Sequence, residues 1–110
     1  MKMTLLRTLF FALTFTLFAA QVNAQVTVSG STGANGAYTQ LNLAFTAING
    51  TAQTGNNIVV TISANTTETA SAILNAGAWT SLKIYPTATG LSVTGSLALP
   101  LIDFNGADKR

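Results

Sequence analysis

Neither cysteine nor histidine occurs in this chain of 110 residues, and only 7% of its residues are charged. Without them there is no histidine-assisted serine or cysteine nucleophile. A zinc or other transition-metal site loses its usual ligands for the same reason. No disulfide can form, so stability rests on packing alone. The formal charge of +2 is uneven along the chain, because Lys2 and Arg7 lie near the N-terminus. From Gln25 onward, Lys83, Lys109 and Arg110 are balanced by Glu68, Asp103 and Asp108. A neutral chain has no basic surface for phosphates, which excludes nucleic-acid binding. What the chain does have is 48% hydrophobic residues, which argues against intrinsic disorder. Its length allows one small domain.

The first residues read as a leader. Lys2 and Arg7 precede an uncharged stretch, Thr8 to Ala20, rich in Leu, Phe and Ala, and Gln21-Val22-Asn23-Ala24 follows with small residues where a signal peptidase cuts. That order is the one of a secretory signal peptide, residues 1–24, with cleavage before Gln25. As a helix the apolar stretch spans about 20 Å, short of the roughly 30 Å hydrocarbon core. The remaining chain, residues 25–110, has no run that would span a membrane and is expected to be secreted, at the cell surface or in the extracellular space. A domain of that size buries about 60–65% of its unfolded surface, enough for marginal stability only.

The exported part is rich in Thr, Ser, Asn, Gly and Ala, interrupted by short β-branched runs. This is the pattern of an all-β protein with frequent turns. QVTVS at Gln25–Ser29 alternates as a strand, and GSTGANGA at Gly30–Ala37 is a Gly-rich loop without phosphate-loop spacing. In YTQLNLAFTAIN, residues Tyr38–Asn49, Leu41, Ala44, Phe45 and Ile48 share one face of a 3.6-residue period. The spacing predicts one short helix there, with Thr39 as its N-cap and Gly50 as the left-handed residue after its end. Strands are predicted at Ile58–Ser63, Thr69–Asn75, Leu82–Tyr85, Leu91–Thr94 and Leu101–Phe104, with Pro86 ending the third of these. Ile84, Val93 and Ile102 recur every nine residues, and Ile62 precedes Ile84 by 22, about one coil of a solenoid.

Taken together, TTETASAILNA, SLKIYPTATGLSVTG and LPLIDFNGAD resemble the N-terminal region of large secreted right-handed parallel β-helix proteins, pectin-lyase-like and of Bacteroidota type. The resemblance covers nearly all of Gln25 to Asp108. It implies an N-terminal cap with the short helix, followed by the first coils of a β-helix. Family members run on for hundreds of residues, so the chain is expected to be the first piece of something longer. A small antiparallel β-sandwich is the alternative that the strand pattern allows. A parallel solenoid needs about three repeats for stability. Two coils would leave an open end that invites self-association.

Chemistry has little to draw on. Glu68, Asp103 and Asp108 are the only carboxylates of the exported part; the last two flank Asn105-Gly106, where turn chemistry and solubility explain them better than calcium. The calcium-binding acids with a nearby base that serve polysaccharide lyases of the β-helix class are not assembled, since Lys83 is the only basic residue away from the tail. No catalytic residue, metal site or cofactor is therefore expected. Asn49-Gly50-Thr51 and Asn65-Thr66-Thr67 match the N-glycosylation pattern by chance. The best surface candidate is the face that alternation gives to Trp79, Lys83 and Tyr85, where aromatic rings beside polar groups suit glycan stacking. The function expected is a non-enzymatic structural or adhesin-like module with extracellular glycans or cell-surface components as partners. The other reading is the N-terminal fragment of a carbohydrate-active β-helix enzyme, a polysaccharide lyase or hydrolase, with its active site downstream.

Overall fold

The computed structural model describes residues 24–107. The leader read at residues 1–24 thus lies outside the described residues except for Ala24, and so do Asp108, Lys109 and Arg110.

Two strands open the chain, β1 (Val26–Ser29) and β2 (Gly36–Tyr38), paired antiparallel. Val26 and Val28 are buried while Thr27 and Ser29 are exposed, the alternation that a strand with one buried face requires. The turn after β1 depends on Gly30, whose φ of 74° lies in the left-handed region. A Cβ there would also stand 2.0 Å from the Asn57 carbonyl oxygen, so only glycine lets the end of β1 lie against the segment that begins at Asn57.

The helix α1 (Leu41–Asn49) follows, and Leu41, Ala44, Phe45 and Ile48 are all buried, as their spacing predicts. It packs against β1, β2 and a later strand, covering one end of the core. Its ends differ from expectation. Tyr38 belongs to β2 and Thr39 precedes the helix; Gln40 is the N-cap residue and makes no side-chain cap bond. Gly50 is right-handed, with φ −75°, and its N–H donates back to the Thr46 and Ala47 carbonyls.

Beyond the helix the chain makes two similar passes. The first contains β3 (Asn57–Ile62), β4 (Thr66–Thr67) and β5 (Ala72–Ile73); the second contains β6 (Ser81–Pro86), β7 (Val93–Thr94) and β8 (Ile102–Asp103). β3 pairs with β6, β4 with β7 and β5 with β8, and each pairing is parallel. Asn57 lies opposite Ser81, Thr66 opposite Val93 and Ala72 opposite Ile102, offsets of 24 (81 − 57), 27 (93 − 66) and 30 (102 − 72). The second pass is therefore longer by three residues at each of two corners. The 22-residue spacing of Ile62 and Ile84 is not the register: Ile62 pairs with Pro86, and Ile84 with Val60.

Side chains join the passes where the strands end. Ser81 Oγ donates to Asn57 Oδ1 (2.9 Å), the Ser92 N–H to Asn65 Oδ1 (2.9 Å) and Asn105 Nδ2 to Asn75 Oδ1 (3.1 Å). Thr94 Oγ1 donates to the Thr66 carbonyl at 3.2 Å. These bonds satisfy polar groups at corners where the backbone ladder is interrupted.

The described residues are thus mostly β with one short helix, and their sheets are small and mixed. One is four-stranded in the order β2-β1-β3-β6, with β1 antiparallel to both neighbours, and two are two-stranded and parallel. The stretch Thr69–Asn75 contributes only the two-residue β5 to strand structure, and Thr66–Thr67 forms a strand that no periodicity announces. Ile58, Val60 and Ile62 from β3 join the β1 valines and the helix face in the core. Leu82, Ile84, Leu91 and Val93 of the second pass pack against that core but remain half-buried.

Candidate functional site

Two walls enclose a cleft of about 270 Å³. One wall is the end of α1 with the loop that follows it, residues 48–54; the other is the turn 75–79, which carries Trp79 into the second pass. The polar loop Thr51–Thr54 turns back under the helix because Gln53 holds it there. Gln53 is 4% exposed, a low value for an amide, and its bonds account for it. Its Oε1 accepts from the Thr32 N–H (2.8 Å) and Asn56 Nδ2 (2.9 Å). Its Nε2 donates to the carbonyls of Thr32, Ile48 and Thr51 at 2.9, 3.2 and 3.1 Å.

Asn49, the last helical residue, fixes the other wall. Its Nδ2 donates to the Ile73 carbonyl (2.8 Å) and its Oδ1 accepts the Asn75 N–H (3.0 Å). At the base the walls are joined directly, through the Gly55 N–H to the Ala78 carbonyl (2.9 Å) and the Thr80 N–H to the Asn56 carbonyl (2.8 Å). The indole of Trp79 lies against Gly77, where a Cβ would meet its Cζ3 at 2.3 Å. Glycine at that position is what lets the ring lie over the turn.

Among the described residues, no acidic or basic side chain lines the cleft. The last turn of α1 carries no basic residue, so its carbonyl end keeps its partial negative charge. These surroundings favour a neutral polar ligand over an anion. The arrangement has no nucleophile with a base beside it and no acid–base pair.

Of the three residues that alternation groups on one face, the structure brings two together. Lys83 and Tyr85 are alternate residues of β6, both exposed, and they stand beside Val59 and Thr61 of β3. Leu82 and Ile84 point the other way, toward the core. Trp79 precedes the strand, which begins at Ser81, so alternation does not extend to it. It is half-buried against the core and lines the cleft, to which neither Lys83 nor Tyr85 contributes. The amides of Gln53, in a polar loop, and Asn49, at a helix end, carried no signal in sequence, since single amides are common at both places.

Glu68 is 2% exposed, and its bonds go to the start of the helix. Its carboxylate accepts from the N–H groups of Leu41 (3.0 Å) and Asn42 (2.7 Å) and from Asn42 Nδ2 (3.2 Å). It thus caps α1 from a distant segment, filling the role that Gln40 leaves vacant. Asp103 is half-buried at β8, and its sequence partner Asp108 lies outside the described residues. Among the described residues no three His, Cys, Asp or Glu gather as metal ligands, and no helix is long and apolar enough to cross a membrane. Comparisons with protein-family models, with curated proteins and with solved structures found no match to this chain.

Proposed function

We propose that the chain is the capped start of a right-handed parallel β-helix. In this reading it works as a non-enzymatic, secreted or cell-surface structural module of adhesin-like type, with extracellular glycans as ligands. The observation that carries this is the set of three parallel pairings between successive passes, met in the same order along the chain. Two turns of a solenoid pair in that way, and parallel crossovers are overwhelmingly right-handed. The helix over one end supports the role of a cap, because it covers core that a further coil would otherwise cover. The leader order of residues 1–24 supports export. The neutral, amide-lined cleft beside Trp79 supports a glycan ligand.

The test uses the chain after export by the cells that make it. Intact mass is expected to match a polypeptide beginning at Gln25. On a glycan array the protein is expected to bind at least one glycan without releasing reducing or unsaturated sugars from it. Release of product overturns the non-enzymatic role, and recovery of uncleaved protein inside the cell overturns the compartment.

One observation favours a second reading, the N-terminal piece of a carbohydrate-active β-helix enzyme. The second pass leaves its apolar residues half-buried, as they would be if further coils were added. Translation of the reading frame past Arg110 separates the two, since clustered Asp with Lys or Arg on adjacent coils favours the enzyme.

A further inference from the structure

The structure assigns the glycan to a particular place and a particular class: we infer that the cleft between the end of α1 and the 75–79 turn binds a single ring of a neutral sugar, stacked on Trp79. This rests on the glycan-binding reading above and narrows it. The site is a concavity built by fixed groups, not an exposed face, and it excludes Lys83 and Tyr85.

Size, charge and polarity point the same way. A volume of about 270 Å³ falls just under the roughly 300–1,000 Å³ that encloses drug-sized ligands. It admits one pyranose or furanose ring of a chain whose remainder lies in solvent. Trp79 supplies an apolar platform for the C–H face of such a ring. Around it stand Thr51, Thr54 and Asn75, side-chain types that exchange hydrogen bonds with sugar hydroxyls. Gln53 and Asn49 keep the walls rigid, so little ordering is needed on binding. Uronic acids are disfavoured, because among the described residues no Lys or Arg lines the cleft to pair with a carboxylate.

The chain contains a single tryptophan, so its emission reports on this site alone. The full chain, as exported, is titrated with cellohexaose, mannohexaose and xylohexaose, and in parallel with oligogalacturonate. At least one neutral oligosaccharide is expected to give a saturable change in emission, and oligogalacturonate none. Ala52→Leu places bulk in the cleft from an exposed position and is expected to weaken binding about tenfold while leaving the circular dichroism unchanged. Ala76→Leu repeats the block from the opposite wall, should the first variant fold poorly. Tyr85→Ala and Lys83→Ala are expected to bind as the parent does. Preference for oligogalacturonate overturns the proposal. Loss of binding in Tyr85→Ala with Ala52→Leu unaffected also overturns it, and leaves glycan binding standing on the outer face of β6. No emission change with clear binding on the array has the same meaning, whereas no binding by either method removes the glycan reading itself.

Discussion

Thr66 has the one buried side-chain oxygen without a hydrogen-bond partner among the described residues. It is 1% exposed, and its carbonyl, not its hydroxyl, receives the bond from Thr94 Oγ1. A buried hydroxyl without a partner costs about 1–3 kcal/mol. Thr66→Val keeps the β-branched shape and removes that cost. The variant is expected to be at least as stable as the parent and up to about 1–2 kcal/mol more so, read as a higher urea midpoint at unchanged slope. A loss of stability would mean that the hydroxyl has a partner in solution. Glu68 is the opposite case, since its carboxylate answers three donors. Glu68→Ala leaves the Leu41 and Asn42 N–H groups at the buried helix end without acceptors, and the expected cost is about 2–3 kcal/mol. Urea unfolding followed by circular dichroism measures it, and a cost under about 0.5 kcal/mol would rule out the cap. Neither role was legible in the sequence. A capping carboxylate 27 residues from the N–H it accepts leaves no local signature, and Thr66 sits in a two-residue strand.

At the scale of elements, legibility follows length. The buried face of α1 and the long strands β3 and β6 could be read directly, because several residues of one period fall within each. The strands β4, β5, β7 and β8 have two residues each, too few to show a period. The repeat between passes was hidden for another reason. Its offset grows from 24 to 27 to 30, so no single spacing describes it, and the apolar pair Ile62 and Ile84 suggested 22. The placement of Trp79 was missed in a similar way, by extending the alternation of β6 past its first residue. The register is open to direct measurement. Val59 and Lys83 are partners across β3 and β6, on the outward face, and the chain has no other cysteine to interfere. In Val59→Cys/Lys83→Cys the Cα atoms lie as neighbouring strands place them, within the roughly 4.4–6.8 Å that a disulfide spans. This pair is expected to oxidise readily, and Thr61→Cys/Lys83→Cys, which a 22-residue offset would align, only slowly. The reverse order on a thiol-labelling gel would require a different register.

For the whole molecule, the two ends of the stacked passes are unlike, and that asymmetry determines how copies can meet. Over the first pass lie α1 and its Glu68 cap, with Phe45 fully buried. At the second pass Phe104 touches Phe45, with ring centroids 6.5 Å apart, yet is 50% exposed, and Leu99 is 67% exposed. Among the described residues, strand β6 is an edge of its sheet, and β7 and β8 each have one partner. Unpaired strand edges beside apolar side chains are templates for association. A second copy offers the same edges and the same apolar residues, which allows a two-fold contact between like ends. The edge of that sheet opposite β6 is β2, only three residues long, so association is expected to stop at two copies instead of growing into a fibre. Sedimentation velocity of the chain across a concentration series is therefore expected to show monomer passing to dimer. Leu99→Lys adds charge at an exposed position of the second pass and is expected to shift that equilibrium toward monomer with the fold intact. A parent that stays monomeric throughout would show that the uncovered end is tolerated in water. Growth without limit would show that the short β2 edge pairs as well.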